Sequence, residues 1–266
     1  MTEPLQPKAI HEVNRRMWNE TAAVHARGYV QQLREEVQRP DFSTFDEVEK
    51  RIFGLIDLKD KAVIQLCCNN GRELLSIKKA GAGRCVGVDI SDDFIAQGRE
   101  LATLGGLDIE FMRTDVYELS ADLDGQFDLV YITVGALIWL HDLKSFFGIA
   151  ARLLKPGGQL FIYEMHPVLN MYDPQKGFLP QDSYFIKGPL LEGAGPDYMD
   201  GSQTVSSDCY WYPHKLADIL GAVLRNGLLL THFDEYGHDL AMIFHAFEDY
   251  DKKPPLSYSL LARKAA

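Results

Sequence analysis

Short apolar runs alternate with amphipathic stretches along the middle of the chain, from about residue 62 to residue 165. The runs "AVIQLCC", "RCVGVDIS", "FDLVYIT" and "QLFIYEM" are apolar on both faces, which is typical of strands buried in a parallel sheet. "DIEFMRTDVYEL" predicts a further strand, and residues 143–154 have apolar positions at helical spacing. This alternation predicts an α/β fold with a mainly parallel sheet covered by helices on both faces.

The segments on either side of this core have other patterns. Apolar residues at helical spacing predict one or two helices within residues 8–38, ahead of the core. Residues 166–212 show no sustained period and are rich in Pro, Gly and aromatic residues. Pro213 predicts the start of a helix that Asn226-Gly227 closes, and "LLLTHFDEY" and "PLSYSLLARK" predict two final strands.

Charge and cysteine content narrow the class of protein. The 266 residues include 38 acidic and 27 basic side chains, and the formal net charge of -11 disfavours nucleic acid as a partner. The four cysteines contain no C-x-x-C pair, so neither a zinc site nor a disulfide framework is indicated. The N-terminus does not resemble a signal peptide, and the longest apolar run is too short to span a membrane. We therefore expect a cytoplasmic protein that does not act at a membrane.

Candidate ligand-binding residues follow three consecutive strands. "CCNNG" follows the first strand, where Asn69 and Asn70 can partly replace glycine in a tight turn ahead of Gly71. Asp89 ends the second strand, where a carboxylate can accept hydrogen bonds from both hydroxyls of a ribose. Asp115 ends the third and could bind an adenine amino group, with Val116 beside the ring. Each aspartate alone is more simply a turn former or helix cap, but together they predict an adenosine pocket.

The order and spacing of these motifs resemble a class I S-adenosylmethionine-dependent methyltransferase from about Val63 to Lys264. The first motif of that family reads D/E-x-G-x-G-x-G, and Gln65, Cys67, Asn69 and Gly71 stand at those places here. "VGVDIS", "RTDVYEL", "FDLVYIT" and "RLLKPGGQLFIYE" match later motifs, and "VNRRMWNETAAVH" is similar to the helix that covers the cofactor in many members.

The resemblance implies a Rossmann-like three-layer α/β/α sandwich, in which a seven-stranded sheet has an antiparallel last strand. It implies one domain over residues 1–266, with cap helices (8–38), a cofactor-binding core (61–165), a lid insert (166–212) and a C-terminal helix and strands (213–264). S-adenosylmethionine would be the cofactor and S-adenosylhomocysteine the product. The expected cofactor-binding residues are Trp18, Tyr29, Gln65, Cys67, Asn69, Asn70, Gly71, Asp89, Ile90, Asp115, Val116 and Thr133.

"YITVGALIWLHDL" and "YEMHPVL" resemble a bacterial subgroup of these enzymes, which implies a small-molecule acceptor. Methyl transfer is an in-line displacement that needs alignment and, for some acceptors, a base. Glu164, His166 and His141 are the candidate bases by position, with His214 next, although each histidine could equally be a hydrogen-bonded loop residue. No metal is predicted, because Thr133 stands where a metal-dependent catechol methyltransferase would need a carboxylate.

The aromatic residues of the insert fit a lid over an acceptor, a satellite packing cluster or a homodimer contact. They are Tyr172, Phe178, Tyr184, Phe185, Tyr198, Tyr210, Trp211 and Tyr212. A nicotinamide-dependent oxidoreductase would need a different glycine pattern, and a nucleic-acid methyltransferase would need a Pro-Pro motif after the fourth strand. The main alternative is a non-catalytic protein that keeps the fold and binds the cofactor or a protein partner.

Overall fold

The computed structural model describes residues 5–196 and 204–265 and contains a seven-stranded sheet with helices on both faces. The sheet order is β10-β11-β5-β4-β1-β2-β3. Its strands are β1 Val63–Leu66, β2 Cys85–Asp89, β3 Glu110–Arg113, β4 Phe127–Ile132, β5 Leu154–Met165, β10 Leu228–Tyr236 and β11 Ser257–Lys264. All are parallel to β1 in direction except β11, which pairs antiparallel with both β5 and β10. The predicted Rossmann-like sandwich with an antiparallel last strand is confirmed.

Seven α-helices accompany the sheet in the described ranges. They are α1 Pro7–His25, α2 Tyr29–Glu36, α3 Glu47–Ile56, α4 Arg72–Lys79, α5 Asp92–Leu104, α6 Leu143–Leu153 and α7 Leu216–Arg225. The N-terminal segment forms two helices, as the sequence predicts. None of the helices within these ranges combines the length and apolar character needed to cross a bilayer.

The core lies in two layers, one on each face of the sheet. Ile64, Val86 and Val130 point to the face that α6 and α7 cover, where Phe146, Phe147 and Val223 are fully buried. Val63, Leu129 and Tyr131 point to the opposite face, against α3, α4 and α5. Because successive residues of a strand face opposite sides, strands apolar at every position are buried on both faces, which explains the continuous apolar runs.

Helix α3 is absent from the sequence prediction, although its signals are present. Asp46 accepts a hydrogen bond from the Glu49 backbone N–H, and Glu49 accepts one from the Asp46 backbone N–H, which makes a capping box. Ile52 and Phe53 pack into the sheet, and each such buried side chain contributes roughly 1.5–3 kcal/mol. Glu49 itself is 6% exposed and accepts a 2.6 Å hydrogen bond from the Tyr131 hydroxyl of β4.

Helix α7 begins three positions later than its proline predicts, at Leu216 rather than Pro213. Lys215 remains extended, and its backbone N–H donates to Asp218. The extended segment keeps the His214 Nε2 2.7 Å from the Leu140 carbonyl oxygen, so a tertiary contact overrides the proline signal. The predicted end is confirmed, since Asn226 caps the helix and Gly227 follows with a left-handed φ of 73°.

The insert contains short strands rather than sustained secondary structure. β6 Leu190–Glu192 pairs with β9 Cys209–Trp211, and β7 Gly195–Pro196 pairs with β8 Thr204–Val205. Tyr172 and Phe178 pack against Phe247 in a small cluster beside β11, which is the satellite packing among the alternatives. Tyr198 lies outside the described residues.

A buried carboxyl group on α3 makes stability depend on pH. Burial, followed by the nearby Glu73, raises the pKa of Glu49 to about 7, whereas the Tyr131 hydrogen bond lowers it. The folded chain therefore holds this proton over a pH range in which the unfolded chain releases it. The stabilisation is complete below the unfolded pKa and is lost as pH rises to about 7.

We expect Glu49→Gln to remove this dependence. Between pH 4.5 and 7.5, the unfolding free energy of the parent chain should fall relative to that of the variant by on the order of 3 kcal/mol. Denaturant titrations at several pH values measure this difference. Exposed Glu47→Gln in the same helix turn is the control and should give a curve parallel to the parent's. A Glu49→Gln curve that is also parallel would contradict the burial argument.

Candidate functional site

The loop after β1 reverses the chain by placing alternate residues in left-handed backbone conformations. Cys67, Asn69 and Gly71 have φ angles of 54°, 53° and 71°. The sequence predicts this conformation for Asn69 and Asn70; it is confirmed for Asn69 and wrong for Asn70, whereas Cys67 adopts it without the usual glycine or asparagine. The Asn70 side chain instead donates a 2.9 Å hydrogen bond to the Tyr29 hydroxyl, which links the loop to α2.

Asp89 connects the loops after β1 and β2. Its carboxylate accepts hydrogen bonds from the Asn69 N–H at 2.8 Å and from the Ser91 N–H at 2.9 Å. Burial raises the pKa of Asp89 to about 6, against these backbone hydrogen bonds, which lower it. Each carboxylate oxygen can accept a further hydrogen bond, so the group can still receive both hydroxyls of a ribose. Ile90 follows it, half-buried.

Gln65 lies beneath the same loop with unmet hydrogen-bonding capacity. Its side chain is fully buried, and neither the amide nitrogen nor the oxygen has a hydrogen-bond partner within the described ranges. It lies opposite Gly87 and Tyr131 in the sheet, and Thr133 lies within hydrogen-bonding reach of the Tyr131 hydroxyl. A buried amide without partners is costly, and the charged end of an amino-acid group could satisfy it.

A chain of hydrogen bonds links the loops after β3 and β4 through α1. Asp115 Oδ2 lies 2.5 Å from His11 Nδ1, and His11 Nε2 lies 3.0 Å from His141 Nδ1. Burial raises the pKa of Asp115, but the hydrogen bonds from His11 and the Tyr117 N–H outweigh it and lower the pKa overall. Tyr117 stacks on His11 with ring centres 5.4 Å apart. One oxygen of Asp115 therefore contacts α1, and Val116 is buried beside it.

Helix α1 lies across the carboxyl ends of the central strands. Asn14 exchanges two 2.8 Å hydrogen bonds with the backbone of Tyr210 in β9, and Asn19 accepts one from the Ser91 hydroxyl. The Trp18 ring packs edge-on against Trp139 at 5.0 Å. Trp18 therefore lies beside the loop after β4 and Tyr29 beside the loop after β1, and their contact with a cofactor stays a prediction.

Glu164, predicted as a candidate base, has a different environment. Its carboxylate accepts hydrogen bonds from the backbone N–H groups of Gly135, Ala136 and Leu137, at 2.5, 2.9 and 3.2 Å, and from its neighbour Met165. Burial raises the pKa of Glu164 to about 7 despite these four donors. Because both oxygens are used to hold the loop after β4, the geometry favours a structural role over proton transfer.

The candidate histidines differ in what their ring nitrogens contact. His166 Nδ1 accepts from the Val168 N–H at 3.1 Å, and its Nε2 lies 2.9 Å from a carboxylate oxygen of Glu235, although outside hydrogen-bonding geometry. His214 is held by the Leu140 carbonyl. His141 is half-buried between Tyr117 and Tyr212, with ring centres 4.5 and 6.3 Å away. Burial, followed by His11, lowers the pKa of His141.

His11 is the site residue that the sequence prediction missed. It lies on the same face of α1 as Asn14 and Trp18, at a spacing of three and then four residues. The sequence signal for His11 is a polar and aromatic stripe beside the apolar stripe of the helix.

At the centre of the site, burial raises the pKa of the Cys67 thiol, and Asp89 and Asp115 add to this effect.

Comparison with known proteins shows that the core of the chain is similar to methyltransferases. A family model described as a methyltransferase domain matches residues 63–158. The ribosomal protein L11 methyltransferase of Haemophilus influenzae is 34% identical over 105 residues, which cover 40% of this chain and 33% of that protein. The demethylmenaquinone methyltransferase of Thermus thermophilus is 32% identical over 108 residues, covering 40% of this chain and 48% of that protein.

Similarity to solved structures extends further along the chain. An S-adenosylmethionine-dependent methyltransferase from Mesorhizobium loti superposes with a TM-score of 0.58 at 21% identity, covering 78% of this chain and 92% of that one. At this identity the likeness establishes the fold. The chain spans about a third to a half of the length of the two curated relatives.

We expect Glu164→Gln to destabilise the fold. The amide nitrogen of glutamine would face backbone N–H donors, which leaves buried donors unsatisfied at a cost on the order of 2–3 kcal/mol. Chemical denaturation measures the loss. Glu110→Gln, an exposed acid on β3 paired with Arg84, is the matched control and should change stability by less than about 0.5 kcal/mol. Equal stability of the two variants would contradict the loop-holding role.

Proposed function

We propose that the protein transfers a methyl group from S-adenosylmethionine to a small-molecule acceptor, and the match of residues 63–158 to a family model described as a methyltransferase domain supports this proposal. One observation carries the proposal. The carboxylate that joins the β1 and β2 loops, Asp89, and a half-buried histidine, His141, lie at the same edge of the sheet; α1 contacts His141 directly and contacts the β2 loop through Ser91, which Asp89 also binds.

The residues present fit the proposed cofactor. Asp89 would accept hydrogen bonds from the ribose hydroxyls, and Asp115 with Val116 and Ile90 would surround the adenine. The unpartnered amide of Gln65 would meet the methionine end beneath the left-handed turn of Cys67, Asn69 and Gly71, with Thr133, Asn70 and Tyr29 nearby. Trp18 of α1 would cover the bound nucleoside.

The covering of the sheet edge favours a small acceptor. Helix α1 contacts the loop after each of β2, β3 and β4, and its Asn14 also binds β9. Because α1 covers this part of the edge, a small planar molecule would reach His141 and the neighbouring Tyr117 and Tyr212 rings more readily than a side chain of a folded protein would. A relative that methylates a ribosomal protein makes a protein acceptor the alternative to test.

The side chains of the protein would align the acceptor with the cofactor and remove a proton from the acceptor. When bound, S-adenosylmethionine supplies an electrophilic methyl group on a sulfonium sulfur. His141 would take the proton from a hydroxyl or amine acceptor, since its lowered pKa keeps the ring neutral near pH 7. Burial of the site under α1 would exclude water from the transfer. Glu164 would hold the loop that carries His141 rather than act as the base.

Calorimetric titration with S-adenosylmethionine, S-adenosylhomocysteine and NAD tests the cofactor assignment first. Micromolar affinity for the first two and none for NAD is the expected result. An assay of S-adenosylhomocysteine release against phenols, amines and carboxylic acids, with a denatured and a native protein extract in parallel, then tests the acceptor class. If turnover occurs only with the protein extracts, the acceptor is a protein and the small-molecule proposal is wrong. If the cofactor binds but no acceptor is methylated, a non-catalytic binding protein is favoured.

Asp89→Ala should weaken S-adenosylmethionine binding at least tenfold. The substitution removes the ribose acceptor and also frees the Asn69 and Ser91 N–H groups that shape the two loops. Calorimetry on the purified variant measures the loss. Asp93→Ala, an exposed acid in the first turn of α5, serves as the control and should keep the parent affinity. Unchanged affinity in Asp89→Ala would remove the adenosine assignment.

His141→Gln should lower turnover by about 100-fold or more while changing cofactor affinity less than threefold, because a general base contributes on the order of 10²–10⁴ to the rate. Steady-state kinetics with an identified acceptor, paired with calorimetry, separates the two effects. His245→Gln, an exposed histidine far along the chain, is the matched substitution. Similar turnover in both variants would exclude His141 from proton transfer.

A further inference from the structure

The hydrogen-bond chain from Asp115 through His11 to His141 is more than a packing contact, because its order fixes where the protons lie. The lowered pKa of Asp115 leaves a carboxylate, which accepts only, so His11 Nδ1 must carry the proton of that 2.5 Å hydrogen bond. In a neutral His11 ring the Nε2 is then an acceptor, and the 3.0 Å contact requires the proton to be on His141 Nδ1. This order leaves the lone pair of His141 on its Nε2.

We propose that His11 and Asp115 are positioning residues that hold His141 in the tautomer with a basic Nε2, and that this base is assembled only while α1 is docked. The inference rests on the proposed methyl transfer and deepens it. When the acceptor loses its proton to Nε2, the positive charge of the His141 ring is stabilised through the His11 ring by the Asp115 carboxylate. The methyl group would pass from the sulfonium sulfur to the acceptor, which would leave a neutral thioether, and the proton on Nε2 would later pass to water.

Three features support a functional reading over simple packing. The chain joins residues from three separate segments, 104 and 130 positions apart in sequence. Tyr117 packs on both rings, at 5.4 Å from His11 and 4.5 Å from His141, which holds them in register. Asp115, His11 and His141 are hydrogen-bonded one after another and do not converge on a common point, as metal ligands would. The described ranges hold no group of side chains with the geometry to bind a metal ion.

The surroundings of the pair define its response to pH. The ionisable groups facing the two rings are Asp115 and Tyr117 from the loop after β3, Asp142 beside His141, and Tyr212 at the end of β9. Lys8, one turn along α1 from His11, lies within electrostatic reach of Asp115 and is paired with exposed Glu118 at 2.8 Å. A proton entering the pair at low pH removes the lone pair on His141, so proton transfer should fail on the acid side.

Nitrogen-15 NMR of the histidine rings tests the proposal on the full chain without cofactor or acceptor. In the parent chain, His141 should show a protonated Nδ1 and an unprotonated Nε2, and His11 a protonated Nδ1. Asp115→Asn keeps the side-chain shape, and because its oxygen must still accept from the Tyr117 N–H, its amide nitrogen would face His11 and donate to it, so both rings should reverse their tautomers. His11→Gln should remove the Nδ1–H preference of His141. Glu118→Gln breaks a neighbouring contact of α1 and should leave both rings as in the parent.

A protonated Nε2 on His141 in the parent chain would overturn the proposal, as would unchanged tautomers in Asp115→Asn. If Asp115→Asn does not fold, the parent spectrum and His11→Gln decide the question. Kinetics adds a second reading, in which His11→Gln lowers kcat at least tenfold and shifts the acid limb of the pH profile, with unaltered cofactor affinity. Failure of S-adenosylmethionine to bind the parent chain would refute the proposed function alone, since the ring spectra do not depend on it.

Discussion

The arrangement of the site depends on the docking of α1 across the carboxyl ends of the parallel strands. The polar face of this helix contributes His11, Asn14 and Asn19 to partners on three loops and on β9 instead of leaving them to solvent. Each such hydrogen bond contributes only about 1 kcal/mol. Their effect is collective, because loops that are separate in sequence become fixed relative to one helix and hence to one another.

Buried carboxyl groups fix the loops from below. Asp89 joins the loops after β1 and β2, and Glu164 joins the loop after β4 to the end of β5. Both have raised pKa values because burial opposes their charge more strongly than their backbone donors favour it. The burial of these acids is costly, but it provides acceptors for the backbone N–H groups of the loops at this edge of the sheet.

Local patterns predicted the elements well, and the failures came from contacts between distant segments. Strands buried on both faces have continuous apolar runs, and Asn69 and Asp89 could be placed because their backbone positions follow from the strand ends. The role of Glu164 could not be predicted from the sequence, because its hydrogen-bond donors come from a loop nearly 30 residues earlier and only the fold brings them together. His11 was hidden for the same reason, its partners Asp115 and His141 being far along the chain.

Two kinds of local error also have physical causes. Helix α3 has no counterpart in the sequence prediction, although the capping box of Asp46 and Glu49 ahead of an apolar stripe is a sufficient sequence signal for it. Helix α7 was placed too early because a proline compatible with a first turn is equally compatible with extended chain. The contact of His214 with the Leu140 carbonyl selects the extended form.

Because α1 covers this edge of the sheet, it would also control the entry and release of a ligand bound beneath it. In a chain that holds a nucleoside beneath α1, neither the spent cofactor nor its replacement can pass while Asn14, Asn19 and Trp18 keep their contacts. Exchange would then proceed at the rate at which the helix lifts, a motion of the microsecond-to-millisecond class. The residence time of the product would be set by the strength of these contacts, whatever the intrinsic speed of the methyl transfer itself.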